Sequence, residues 1–143
     1  PSLDDTIGDM AELLQGKTAV VLGVANKWSI AYAIAEAFRR EGAKLILTYQ
    51  GERQKATVED LGKELGAASV FNCDVTKTEE LEGLVKELSG EKLDIVVHSI
   101  AFANREDLSR PFLETSRDGY LLAQEVSSYS LVSVARALSP LMT

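Results

Sequence analysis

The 143-residue sequence holds one cysteine, Cys73, and one histidine, His98. A lone cysteine excludes an intrachain disulfide, and one of each is too few for a structural zinc site. No apolar stretch approaches the ~20 residues that span a bilayer. Asp4, Asp5, Asp9 and Glu12 stand where a signal peptide needs a basic region and an apolar run. A reducing, cytoplasmic location is expected, with no membrane partner. Basic charge is also scarce. Fifteen Lys and Arg face 22 Asp and Glu, for a net charge of −7 and a pI near 4.8. Nucleic acid is therefore not expected as a partner. A small anionic ligand is still open, because a nest of backbone N–H groups can bind one against the net charge.

What is present suits one globular domain: 45% hydrophobic and 26% charged residues. Residues 1–16 read as an N-terminal arm or short docking helix, with Ile7, Met10, Leu13 and Leu14 at helical spacing. From residue 17 on, apolar runs alternate with amphipathic ones. Strands are expected at 18–23, 44–49, 68–73 and 93–100. Their near-continuous apolar character predicts a parallel sheet covered on both faces. Helices are expected at 29–42, 53–65, after Thr76, and at 118–138 up to Pro140. In the first of these, Ile30, Ala33, Ile34, Ala37 and Phe38 share a face, and Gly42 can end it. Thr76 and Glu79 have the spacing of a capping box. Residues 103–117 read as a polar loop. Right-handed crossovers then build a doubly wound, Rossmann-like α/β half-sheet of order 3-2-1-4, three layers deep.

Such a sheet binds ligands at the carboxyl ends of its strands. The first strand leaves through Gly23 into Val24-Ala25-Asn26-Lys27-Trp28-Ser29-Ile30. This turn does not match G-x-G-x-x-G, but Gly23 sits at the tight turn and Ser29 and Ile30 open a helix. N–H groups there can hold a pyrophosphate, and Ser29 can either cap the helix or donate to phosphate. Gln50, at the second strand's end, is placed to bond a ribose. Arg53 is a candidate for a 2′-phosphate or an ordinary surface charge. Asp74 can accept from an adenine amino group beneath Val75, or serve only as a turn residue. In Ser99-Ile100-Ala101, which closes the fourth strand, the small residues allow close approach on the nicotinamide side.

Five stretches together resemble the bacterial enoyl-acyl-carrier-protein reductases of the short-chain dehydrogenase/reductase superfamily. They are GVANKWSIAYAIAEAFRREGA (23–43), LTYQGER (47–53), CDV (73–75), VHSIAFA (97–103) and EVSSYSL (125–131). Order and spacing agree from about residue 16 to 143. Trp28 and Ala33 depart from the family's usual residues. The resemblance implies hydride transfer from NADH or NADPH to C3 of a trans-2-enoyl thioester carried on acyl-carrier protein, in fatty-acid elongation. Gly23, Ala25, Ser29 and Ile30 would then hold the ribose-pyrophosphate. Gln50 would lie by the adenosine ribose, Asp74 and Val75 around adenine, and Ser99, Ile100 and Ala101 along the nicotinamide half. Phe102 and Ala103 would border the acyl pocket. Gln50, without a consecutive basic pair after the second strand, favours NADH.

The family's tyrosine pair and lysine follow a fifth strand, expected beyond residue 143. Tyr32, Tyr49, Tyr120 and Tyr129 do not fit that role; four residues after Tyr129 stands Ser133, not a lysine. No catalytic residue is assigned. His98 and Cys73 are expected to be structural. The chain thus reads as a nucleotide-binding half-domain, 17–143, of a homotetrameric enzyme, with an exposed fourth-strand edge prone to self-association. Two alternatives stay open. One is a short-chain reductase acting on a carbonyl, which a downstream tyrosine-x₃-lysine would favour over tyrosine-x₆-lysine. The other is a non-catalytic nucleotide-binding module.

Overall fold

The computed structural model describes residues 13–143. The arm expected at 1–16 lies mostly outside them; residues 13–16 form a turn before the first strand. Four parallel strands follow: β1 (Thr18–Leu22), β2 (Lys44–Tyr49), β3 (Ser69–Asn72) and β4 (Ile95–His98). Their order is β3-β2-β1-β4, as the alternating pattern predicts. Three helices link them: α1 (Ile30–Arg40), α2 (Glu52–Leu65) and α3 (Thr78–Glu87). After β4 come α4 (Arg105–Ser109), α5 (Arg117–Gln124) and α6 (Ser130–Leu138).

β1 is buried along its whole length because it is paired on both sides. Alternate side chains of such a strand point to opposite faces. Val20 and Leu22, with Ile46, pack toward Leu81 and Leu84 of α3 and Val134 and Leu138 of α6. Ala19 and Val21, with Leu45 and Leu47, pack toward Ala31 and Ala35 of α1 and Leu61 and Leu65 of α2. This is the three-layer arrangement. β3 and β4 stand at the sheet's two sides and are only partly buried.

Several local expectations are corrected. The buried face of α1 is set by Ala31, Tyr32 and Ala35; Ile30, in its first turn, is 75% exposed and Ala33 is exposed too. Small alanines let this helix approach the sheet, and their burial is invisible to a count of large apolar residues. The Thr76–Glu79 capping box does not form: Lys77 occupies the cap position of α3 without a side-chain bond. Glu80 takes over, accepting from the Asp74 amide at 2.7 Å and the Asn72 side chain at 2.8 Å. It thereby fixes the exit of β3. The segment 103–117 is not all loop, since it contains α4 and a 3₁₀ turn at Phe112–Glu114. The helix expected at 118–138 is interrupted by a π turn, Glu125–Tyr129. Strand four is shorter than expected. Beside it, Leu93 forms a parallel bridge to Met142 on the edge away from β1.

Asp94 ties these ends together. Its carboxylate accepts from the Thr18 amide at 2.9 Å, the Lys17 ammonium at 3.0 Å and the Thr143 hydroxyl at 3.2 Å. The Thr18 amide, then Lys17, hold its pKa below the ordinary 3.8. A depressed carboxylate contributes stability above its unfolded value and loses it as pH falls through the folded one. Asp94→Asn is therefore expected to lower the urea midpoint at neutral pH. The gap to wild type should close as pH drops below 3.8. A gap that persists unchanged into acid would contradict the assignment.

Candidate functional site

The carboxyl ends of the four strands converge, and the turn after β1 shows how. Gly23 has φ +104°, a conformation L side chains rarely adopt. A Cβ there would collide with the Ser99 carbonyl oxygen and lie 2.6 Å from its carbon. The glycine lets the β1 exit touch the β4 exit. Asn26 then shapes the turn: its side chain accepts from the Trp28 amide at 2.8 Å, and its carbonyl accepts from Ser29 N and Oγ. Ser29 caps α1, accepting from the Tyr32 amide at 3.3 Å. Its hydroxyl proton goes to the Asn26 carbonyl, and the expected cap is formed. The Ile30 and Ala31 N–H groups, first in the helix, have no intrahelical acceptor. They point the positive end of the helix field out of the turn. Lys27 reaches Glu64 of α2 at 2.7 Å, and Tyr32 reaches the same oxygen at 3.3 Å. The turn is thereby anchored to its neighbour.

A crevice of about 130 Å³ opens over these strand ends. Gly23 and Ala25 line it from β1, Gln50 from β2, Asp74 and Val75 from β3, and residues 99–101 from β4. Eight of the expected residues thus share one cavity. Ser29 and Ile30 stand outside its lining, at the start of α1. Phe102 lines a second, adjoining cavity of about 270 Å³, together with Gln50, Thr76 and Leu122. Ala103 lines neither. Arg53 is exposed and outside the crevice. Sequence reasoning missed Gln54 on α2 and Val126 in the π turn. Gln54 stands in the first turn of α2, four residues after Gln50, and could have been found; Val126 comes from a distant segment.

Asp74 is built into a turn, accepting from the Thr76 hydroxyl at 2.7 Å and amide at 3.0 Å. Partial burial works to raise its pKa, but Thr76, the Gln50 side chain and Lys77 outweigh that and hold it low. It is an ionised acceptor at neutral pH. The neighbouring Cys73 thiol is pushed up to about 12, by burial first and then by Glu80 and Asp74. It stays protonated and is structural. His98 is part-buried, its Nε2 2.7 Å from the Ser130 hydroxyl.

The sequence model described as enoyl-(acyl carrier protein) reductase matches residues 23–143. The chain belongs to the enoyl-(acyl carrier protein) reductase family. Within that family it is 52% identical over 136 residues to the NADH-specified enoyl-[acyl-carrier-protein] reductase of Bacillus cereus, covering 92% of this chain and 53% of that one. It is 44% identical over 133 residues to the NADPH-specified enzyme of Staphylococcus aureus, covering 90% and 52%. The crystal structure of the NADH enoyl-[acyl-carrier-protein] reductase from Aquifex aeolicus VF5 superposes with a TM-score of 0.87 at 44% identity, covering 91% and 52%. The chain spans about half the length of these enoyl reductases. The family match runs from Gly23, at the exit of β1, to Thr143.

Two outcomes test this geometry. Gly23→Ala combines a left-handed φ with a backbone collision and should cost ~2 kcal/mol or more in urea unfolding. A loss of a few tenths would show that the two strand exits do not need to touch. Cys73 should resist a thiol reagent in the folded protein at mildly alkaline pH and react promptly once the protein is unfolded. Rapid labelling of the folded form would contradict its burial.

Proposed function

We propose that residues 17–143 form the nucleotide-binding half of an enoyl-acyl-carrier-protein reductase that uses NADH. One observation carries this reading. Gly23, Gln50, Asp74 and Ser99, from four different strand exits, line a single crevice where the strand order reverses. That is where a doubly wound sheet receives a dinucleotide. The residues suit the ligand: a glycine without a side chain, unpaired helix-start N–H groups for pyrophosphate, and an ionised acceptor for an amino group.

Gly23, Ala25, Ser29 and Ile30 hold the ribose-pyrophosphate, the last two through the start of α1 rather than the crevice floor. Gln50 takes the adenosine ribose. Asp74 accepts from the adenine amino group with the oxygen not used by Thr76, and Val75 covers the ring. Ser99, Ile100 and Ala101 flank the nicotinamide. Phe102, in the adjoining cavity, borders the acyl chain, with Ala103 behind it. When bound, the nicotinamide supplies a hydride to C3 of a trans-2-enoyl thioester presented by acyl-carrier protein. NADH is preferred because Arg53 is outside the crevice and no basic pair follows β2. Among the described residues no lysine lines the crevice to pair with a tyrosine: Tyr49 lines it, buried at the end of β2, while Tyr120 and Tyr129 are exposed and outside its lining. No proton donor is therefore assigned within them.

The same reading makes the enzyme cytoplasmic and homotetrameric. Among the described residues no helix is long and apolar enough to cross a membrane. Leu121, Tyr129, Leu131 and Val132 are about half exposed along the last helices, as a helix-packing subunit contact requires.

Titration calorimetry tests the binding claim. NADH should bind saturably and more tightly than NADPH. Asp74→Ala should weaken AMP about tenfold, or ~1.4 kcal/mol. Absence of saturable binding by either dinucleotide overturns the proposal.

A further inference from the structure

The crevice wall supplied by the last helices is irregular, and the irregularity is held by specific bonds. In the π turn the Ser130 N–H reaches five residues back, to the Glu125 carbonyl. The Val126 carbonyl is met instead by the Ser130 hydroxyl, at 2.6 Å. That hydroxyl has only one proton, so it can only accept from His98, whose Nε2 lies 2.7 Å away. His98 therefore carries its proton on Nε2 and pins the π turn to β4. Ser130 is 2% exposed, and in this arrangement its hydroxyl is satisfied as both donor and acceptor.

The turn holds the chain leaving β4 at a second point. The Ser127 hydroxyl accepts from the Phe102 amide at 3.0 Å and donates to the Phe102 carbonyl at 3.1 Å. One side chain thus holds both peptide groups of a residue that directly follows the crevice-lining segment 99–101. Its neighbour Val126 lines both the crevice and the adjoining cavity. Between the His98 and Phe102 contacts, segment 99–101 is held at both ends by the π turn and the first residue of α6.

We propose that Ser127 is a positioning residue for the nicotinamide side of the crevice. It fixes the path of residues 99–102, and the Ser130–His98 contact keeps the turn that aims it. This role rests on the nucleotide reading above. It acts through the backbone and needs no contact between Ser127 and ligand.

The test compares the full chain with Ser127→Ala and Ser127→Thr. Calorimetry with AMP probes the adenosine side alone, and NADH probes both sides. Amide hydrogen exchange at Phe102 reports the clamp directly. Ser127→Ala should speed Phe102 exchange about tenfold. It should weaken NADH about fivefold while leaving AMP within about twofold. Ser127→Thr, which keeps the hydroxyl, should restore both values. NADH affinity unchanged in Ser127→Ala overturns the positioning role alone. Equal losses for AMP and NADH also overturn it, since they mark general destabilisation. Wild-type protein binding neither nucleotide removes the nucleotide reading and this role with it.

Discussion

The contact between Gly23 and Ser99 is the constraint on which the site depends. β1 and β4 are parallel neighbours that must both leave the sheet at the same end. Any side chain at the β1 exit would meet the β4 carbonyl. With hydrogen as the side chain, the two backbones close together and the loops above them part. The crevice is the space left between those loops. Its walls then follow from what each strand carries at its end: an amide from β2, a carboxylate from β3, and Ser99, Ile100 and Ala101 from β4.

Around this contact, polar side chains act mainly on backbone. Asn26 shapes the turn after β1, Glu80 fixes the end of β3 through Asn72 and Asp74 while Asn72 accepts from the Gly51 amide after β2, and Asp94 joins the other end of the sheet. Asp107 does the same for the segment after β4, accepting from the Ser116 amide at 3.0 Å. Most of these groups are partly exposed, so each contributes little as an ion pair. Their effect is geometric: they satisfy loop N–H groups that no sheet or helix can reach. The site is thus framed by loops with defined paths over a rigid apolar sheet.

The sheet was legible in the sequence because β1 and β2 bury nearly every residue, leaving near-continuous apolar runs at 19–22 and 45–49, with Thr48 the one polar residue in them. Strand order followed from the handedness of the crossovers. Eight crevice residues were also legible, since strand exits fall at fixed places in such a fold. What escaped depends on long-range contacts. The reason for Gly23 is Ser99, seventy-six positions away. The face of α1 is set by alanines whose burial their own hydrophobicity does not announce. The π turn has no signature in EVSSYSL, and the contacts made there, Ser130 to His98 and Ser127 to Phe102, are long-range. Glu80 displaced the expected Glu79 because unpaired loop groups at Asn72 and Asp74 stood within its reach.

The proposed function places a dinucleotide across the four strand exits. Backbone amide chemical-shift mapping during an NADH titration tests this most directly. Shifts should concentrate at residues 23–31, at Gln50, at Asp74 and Val75, and at residues 99–102, saturating together. Saturating shifts confined to another surface, or none at all, would contradict the account.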